Sequence, residues 1–233
     1  MKILIVLLCL FLAGCAPARV AEPTTPPTEP RIETREEERM AAIAYGSIYC
    51  QDPSLPEGKR EVLFPGQAGK ALQTCLVTYE NGMQTGKTVL QEEVQQEPVY
   101  QIVAVGTGEN TEKERAFPLF GENCIVTEAG QVLEFSHQGR FSATAYTSGI
   151  ADVGYITATG TKARVGAIAV DPKVIPYGTK MFIVTEDGQY VYGEATAEDC
   201  GGGIKGNRID LFFDTVGECY AFGVRMCQVY FLI

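Results

Sequence analysis

Asp199 and Asp210 bracket the stretch DCGGGIKGNRID, and a third carboxylate, Asp171, ends the apolar run GAIAVD. Acidic side chains grouped in this way can hold a cation or move a proton, and the glycines between the last two add a phosphate cradle as another reading. Gly201, Gly203 and Gly206 do spell GxGxxG. That fingerprint requires a helix after the glycines, whose N-terminus holds a pyrophosphate. The residues after the last glycine are instead NRIDLFF, dense in β-branched and aromatic side chains, which read as a strand. A P-loop needs Ser or Thr after its lysine, and Lys205 is succeeded by Gly206 and then Asn207-Arg208. A calcium loop alternates acidic ligands, whereas no carboxylate lies between Asp199 and Asp210. A cation bridging Asp171, Asp199 and Asp210 in space stays open. Acid/base work fits best: a glycine-rich loop between two strands brings their carboxylates together, and mutual repulsion keeps one protonated near neutral pH, as a general acid must be. No metal or other cofactor is expected, because the chain has one histidine and no CxxC pair.

The elements that position these residues are legible in the last 93 residues. FSATAY, GAIAVD, TKMFIV, YVYGEATAED, RIDLFF and MCQVYFL read as strands, with turns at Pro172, Pro176-Tyr177-Gly178 and Asp187-Gly188. Asp214 to Gly223 is the one helical stretch, capped by its leading aspartate. Six strands and a short helix over this length predict a closed β-barrel.

Upstream, Met1-Lys2 precedes an apolar run from Ile3 to Ala13, too short to cross a bilayer and shaped like the core of a signal peptide. It ends in LAGC, which resembles the bacterial lipobox. That resemblance implies cleavage after Gly14 and a lipid on Cys15, placing the chain on the outer face of the bacterial cell membrane. Residues 15–31, rich in proline, threonine and glutamate, read as a disordered tether. From 32 to 107 short alternating runs are separated by Asp52-Pro53, Pro65-Gly66 and Asn81-Gly82, and TCLVTYENGMQTGKTVL reads as a hairpin turning at Asn81-Gly82. Arg35 to Ala44 also suits a short helix. Residues 108–140 read as a connection with a hairpin near Glu128 to Gly130, and His137 within it as an exposed or structural residue. Six cysteines, Cys50, Cys75, Cys124, Cys200, Cys219 and Cys227, remain after the leader, and we expect one disulfide from Cys200 to Cys219 or Cys227. The formal charge of −10 excludes a partner held through phosphates, so no nucleic acid is expected.

Two resemblances to known families sharpen this reading. Gly66, Gly69, Tyr79, Asn81-Gly82, Glu93, Pro98-Val99 and Val105-Gly106-Thr107 resemble a G5 module, which implies an elongated single-layer β structure used for adhesion or spacing beside wall-degrading domains. In the last domain, ATAY, TATGTKARVGAIAVDPKVIPYGT, AEDCGGGIKGNRIDLFF and VRMCQVYFL resemble the 3D family, named for three aspartates that fall here on Asp171, Asp199 and Asp210. That family is similar to the catalytic double-psi β-barrel of MltA-type lytic transglycosylases. The resemblance implies a six-stranded double-psi barrel at 141–233. It also implies cleavage of the β-1,4 bond from N-acetylmuramic acid to N-acetylglucosamine in peptidoglycan, leaving a 1,6-anhydro sugar. Asp210 would be the single acid/base, Asp199 and Asp171 would orient or tune it, and Thr144, Tyr146, Thr159, Gly160, Gly202, Lys205 and Asn207 would line the sugar groove. The position after Asp199, commonly threonine in the family, is Cys200 here. A non-catalytic wall-binding module and an ordinary hydrolase pairing Asp210 with Asp171 or Asp199 are the alternatives. The expected partners are glycan strands and, through Cys15, a membrane, with the chain acting as a monomer.

Overall fold

In a computed structural model the protein is described over residues 29–108, 114–148 and 154–233. The expected leader, the expected lipid site Cys15 and most of the expected tether lie outside these residues. Among the described residues, fourteen strands and one short helix make a mainly β structure. The first eight strands are β1 (Ile32–Ile43), β2 (Ser47–Pro56), β3 (Arg60–Phe64), β4 (Gly69–Glu80), β5 (Met83–Gln96), β6 (Gln101–Gly108), β7 (Leu119–Phe120) and β8 (Cys124–Val126). Then come β9 (Val132–Tyr146), β10 (Ala167–Ala169), β11 (Lys180–Thr185), β12 (Val191–Asp199), β13 (Arg208–Phe212), α1 (Val216–Phe222) and β14 (Arg225–Leu232). No helix among the described residues is long and apolar enough to cross a membrane.

The chain divides into two compact units. One, from described residues 29–40 and 72–93, carries most of a three-stranded sheet ordered β1-β4-β5. Its hairpin turns where expected: Asn81 and Gly82 both take positive φ, 51° and 84°, as a two-residue turn of this kind demands. The helix expected near Arg35 is instead the strand β1. Its alternating exposed and half-buried residues lie against β4, so sheet pairing overrides the local helical preference of the Glu/Arg/Ala run. Almost every residue of β5 is exposed, as in a sheet of a single layer. On this unit the Tyr79 hydroxyl donates to Glu37 at 2.6 Å, while the Arg35 guanidinium lies 5.5 Å from the Tyr79 ring centre.

The other unit holds residues 41–71 and everything from 94 onward. At its start β2 and β6 pair in parallel, and Gly106 and Gly108 make the close approach possible: a Cβ on either would fall within 1.9 Å of the Pro56 or Pro53 carbonyl oxygen. Buried Asp52 is held by Arg115 at 2.6 Å. β8 turns into β9 through Thr127 to Gly130, the expected hairpin. β9 then runs on to Tyr146, so the expected boundary at 140/141 falls inside one strand. From Phe135 onward β9 joins a second set of pairings: β9–β14, β14–β11, β11–β12, β12–β10, β10–β13 and β13–β9. The pairings return to their starting strand, and the six members are the six strands read from the sequence. Inside lie Phe141, Ala143, Ile168, Val170, Ile183, Ala195, Ala197, Ile209, Leu211 and Val229, all buried. Helix α1 closes against this core with Phe222, but its cap is Thr215 rather than Asp214: the Thr215 hydroxyl accepts from the Glu218 amide, and the Glu218 carboxylate accepts from the Thr215 amide.

Candidate functional site

Alternation along each strand decides which side chains leave the core. On β13, Ile209 and Leu211 point inward, so Asp210 between them faces out; on β9, Phe141 and Ala143 point inward and Thr144 faces out. On β12, Ala195 and Ala197 are core residues, and a strict period of two would send Asp199 inward as well. The register shifts between Ile168 and Ala169 of β10: Ile168 pairs with Ala197, while Ala169 pairs with Asp199, skipping Glu198. This bulge inserts one residue into β12 and turns Asp199 to the outer face. Ala169 also pairs with Asp210, and Asp210 pairs with Thr144. Asp199, Ala169, Asp210 and Thr144 therefore form one row across four strands. The two carboxylate residues are two strands apart, about 10 Å between their Cα atoms.

Hydrogen bonding sorts the three aspartates. Asp171 accepts from the Lys173 amide at 3.1 Å and the Gly206 amide at 2.9 Å, and these two bonds hold its carboxyl below the usual range, the Gly206 bond most strongly. It ties the glycine loop to the turn after β10, and Gly206 reaches it with a positive φ of 63°. Asp199 accepts from the Ala158 amide at 3.0 Å, the Cys200 amide at 2.8 Å and the Tyr146 hydroxyl at 3.3 Å. Asp210 accepts one bond, from the Thr144 hydroxyl at 2.6 Å. Its pKa is raised, first by burial; the Thr144 bond and the Arg208 charge pull it down, and the Asp199 charge pushes it up. The repulsion expected among the carboxylates is thus the lesser cause, and desolvation the main one.

Around this row lie residues that sequence reading passed over. Glu198, the bulged residue, is buried and receives both guanidinium nitrogens of Arg164, at 2.7 and 2.8 Å, and the Thr161 hydroxyl. These bonds lock the hairpin of residues 155–163, from which Ala158 reaches Asp199. An arginine 34 residues upstream of its glutamate gives no sequence signal for such a clamp. Tyr177 meets the Cys200 thiol, and that hydrogen bond, with burial and the nearby Asp199 charge, pushes its hydroxyl up to about 12. Cys219 on α1 lies near enough for the Asp210 charge to act on its thiol, whose pKa is raised mainly by burial.

The remaining expected site residues scatter in role. Tyr146 is half-buried with its hydroxyl committed to Asp199, and burial, with that charge second, raises its pKa strongly. Thr159 and Gly160 sit exposed at the tip of the hairpin, the Thr159 hydroxyl within 3.1 Å of that of Thr157. Gly202, Lys205 and Asn207 are exposed on the glycine loop, with the Lys205 Nζ donating to the Gly201 carbonyl at 3.3 Å. Arg208 to Phe212 is a strand, so no helix succeeds the glycines. The expected disulfide is not formed: Cys200 is an exposed thiol beside Tyr177, while Cys227 is buried in the core on β14, and all six cysteines are free. His137 is exposed and stacks on Phe231 at 4.2 Å. Among the described residues no group of three His, Cys, Asp or Glu is placed to hold a metal ion.

Similarity to known proteins falls on two stretches of the chain. Residues 34–108 match the G5 domain model and residues 166–233 the 3D domain model. The chain is 30% identical over 208 residues to the putative cell wall shaping protein YabE of Bacillus subtilis (strain 168), covering 85% of this chain and 48% of that one. It is 41% identical over 100 residues to the cell wall-binding protein YocH of the same organism, covering 41% and 33%. The chain thus spans about half, and about a third, of the length of these relatives. Among solved structures, an E. coli lytic transglycosylase MltA variant in an apo form aligns at 23% identity over 34% of this chain and 27% of its own, with a TM-score of 0.30. The HP0197 G5 structure aligns at 28% identity over 33% of this chain and 99% of its own, with a TM-score of 0.26. The chain carries a G5 domain over residues 34–108 and, after it, a 3D domain over residues 166–233.

Proposed function

We propose that the protein is an exported, lipid-anchored lytic transglycosylase of the bacterial cell wall, with Asp210 as its single acid/base. One observation carries this reading: Asp210 faces outward with a single hydrogen bond, from Thr144, and burial raises its pKa, whereas Asp171 and Asp199 are each held by two or three donors. A general acid needs a proton to give, and burial supplies the bias toward holding it. In the proposed reaction Asp210 protonates the leaving glycosidic oxygen. Its carboxylate then takes the proton from the muramyl 6-hydroxyl as that oxygen attacks the anomeric carbon, so the 1,6-anhydro ring closes without water. A second catalytic carboxylate is not needed, which suits an Asp199 already bound to two amides and a hydroxyl.

In this proposal the six-strand cycle is a double-psi β-barrel. The chain is organised as leader (1–14), tether (15–31), G5-like spacer (32–107), connection (108–140) and catalytic domain (141–233). Thr144 tunes Asp210, Tyr146 fixes the orientation of Asp199, Asp171 holds the glycine loop, and Thr159, Gly160, Gly202, Lys205 and Asn207 border the path of the glycan. The G5 match and the names of the relatives support a wall polysaccharide as the partner and an extracytoplasmic location, while the lipobox-like LAGC carries the anchor on Cys15.

The test is mass spectrometry of sugars released from purified sacculi. Anhydro fragments, one water lighter than hydrolysis products, are expected from the wild type and not from Asp210→Asn. Equal release by that variant refutes the assignment. The second reading, a wall-binding module without catalysis, is favoured by the name of the cell wall-binding relative YocH and by Cys200 in the place of threonine; it predicts sedimentation with sacculi and no soluble fragments.

A further inference from the structure

The chain is acidic overall, with a formal charge of −10, and such a surface repels anionic polymers. Beside the carboxylate row three cations offset the three aspartates. The amides of Lys173 and Gly206 converge on Asp171, which brings Lys173 and Lys205 alongside one another at the glycine-loop end of the row, and both charges act on Asp171. Arg208 lies two residues before Asp210 on β13, on the same outer face, with its charge reaching Asp210. All three cations are exposed, and among the described residues none makes an ion pair within 4.0 Å, whereas seven other pairs do form. Of the carboxylates beside them, Asp171 is committed to two backbone amides and Asp210 accepts from the Thr144 hydroxyl.

Arg208 also works against a proton donor, because its charge favours the ionised form of Asp210. An exposed cation in that place is understandable if an anion arrives to neutralise it. We propose that Lys173, Lys205 and Arg208 form an anion-recognition edge of the site, selecting a sugar that bears a carboxylate over a neutral one. This rests on the outer row being a glycan site, and it specifies the class: an acidic sugar such as muramic acid, read through its lactyl carboxylate or through the carboxylates of an attached peptide. The glycine loop supplies Lys205, is bounded by Arg208 and, at Gly202 and Gly203, leaves the space above the backbone empty for such a substituent.

The experiment is calorimetric titration of the full chain carrying Asp210→Asn. The probes are a peptide-free muramyl tetrasaccharide, the same sugar with its carboxyls amidated, a peptide-bearing muramyl tetrasaccharide, and chitotetraose. Carboxylate-bearing sugars are expected to bind at least about tenfold more tightly than the amidated sugar or chitotetraose, an advantage that shrinks as salt is raised. Lys173→Gln and Arg208→Gln should each reduce that advantage severalfold without weakening chitotetraose, and Lys173→Arg, which keeps the charge, should preserve it. A preference confined to the peptide-bearing sugar assigns the recognised carboxylates to the peptide. Equal binding of amidated and free sugars, or variants that weaken neutral and acidic sugars alike, overturns the inference while leaving the glycan site standing. Binding of none of the four overturns both.

Discussion

Asp210 shows how one carboxylate is set apart from two others of the same kind. Its folded pKa is above the reference value of 3.8, so its contribution favours the folded state at low pH and declines as pH rises through the raised value; Asp171, lowered, contributes stability above 3.8 that is lost as pH falls through its folded value. Asp210→Asn, which removes a charge the fold disfavours, should therefore leave urea-unfolding stability at pH 7 equal or slightly higher while ending the release of anhydro sugars. Thr144→Val removes the donor that steadies the Asp210 carboxylate and so raises its pKa further. In the pH–rate profile of sugar release, the fall in rate on the alkaline side should move to higher pH in this variant; an unmoved limb would show that Asp210 is not the acid. The aspartates themselves were legible as a family signature, but their division of labour was not, because amides from residues 158, 173, 200 and 206 decide it.

Among the elements, the hairpin of residues 155–163 and the bulge in β12 are the parts that make the row. Breaking the Arg164–Glu198 pair leaves a buried carboxylate short of two donors. Arg164 itself is half exposed, so Arg164→Ala should cost about 1–2 kcal/mol, read from urea unfolding, with Arg164→Lys recovering part of it. At the other end of the unit, Gly106→Ala places a methyl 1.8 Å from the Pro56 carbonyl oxygen, and the parallel β2–β6 pairing must give way. A loss of about 3 kcal/mol is expected in the same measurement. All six strands of the cycle were visible from alternation and turn residues, whereas β1 read equally as a helix. Its Glu/Arg/Ala composition is neutral between the two states until β4 offers a partner.

For the molecule as a whole, a cut at residue 141 should cost the 3D-bearing part stability. β9 begins at Val132, and Ile125, Leu133 and Phe135 bury against Phe182, with Tyr230 and Leu232 packed beside them. A fragment of residues 141–233 loses three buried apolar side chains and the ladder from Phe135 to Gly139 along β14. It should be less stable than a fragment of residues 114–233 by about 5 kcal/mol, seen as a lower thermal midpoint. Export and anchoring are tested by Cys15→Ser, which should shift the protein from the membrane fraction to the soluble one.

Residue types and spacing by themselves determined the β class, the six strands of the last domain, both family resemblances and the three aspartates, since these depend on side-chain period and local turn chemistry. The tertiary structure decided which aspartate is buried with its pKa raised and which way Asp199 faces. A bulge of one residue reverses the face of everything after it, and a carboxyl's pKa depends on burial and on donors brought from distant parts of the chain, neither of which has a local trace in the sequence.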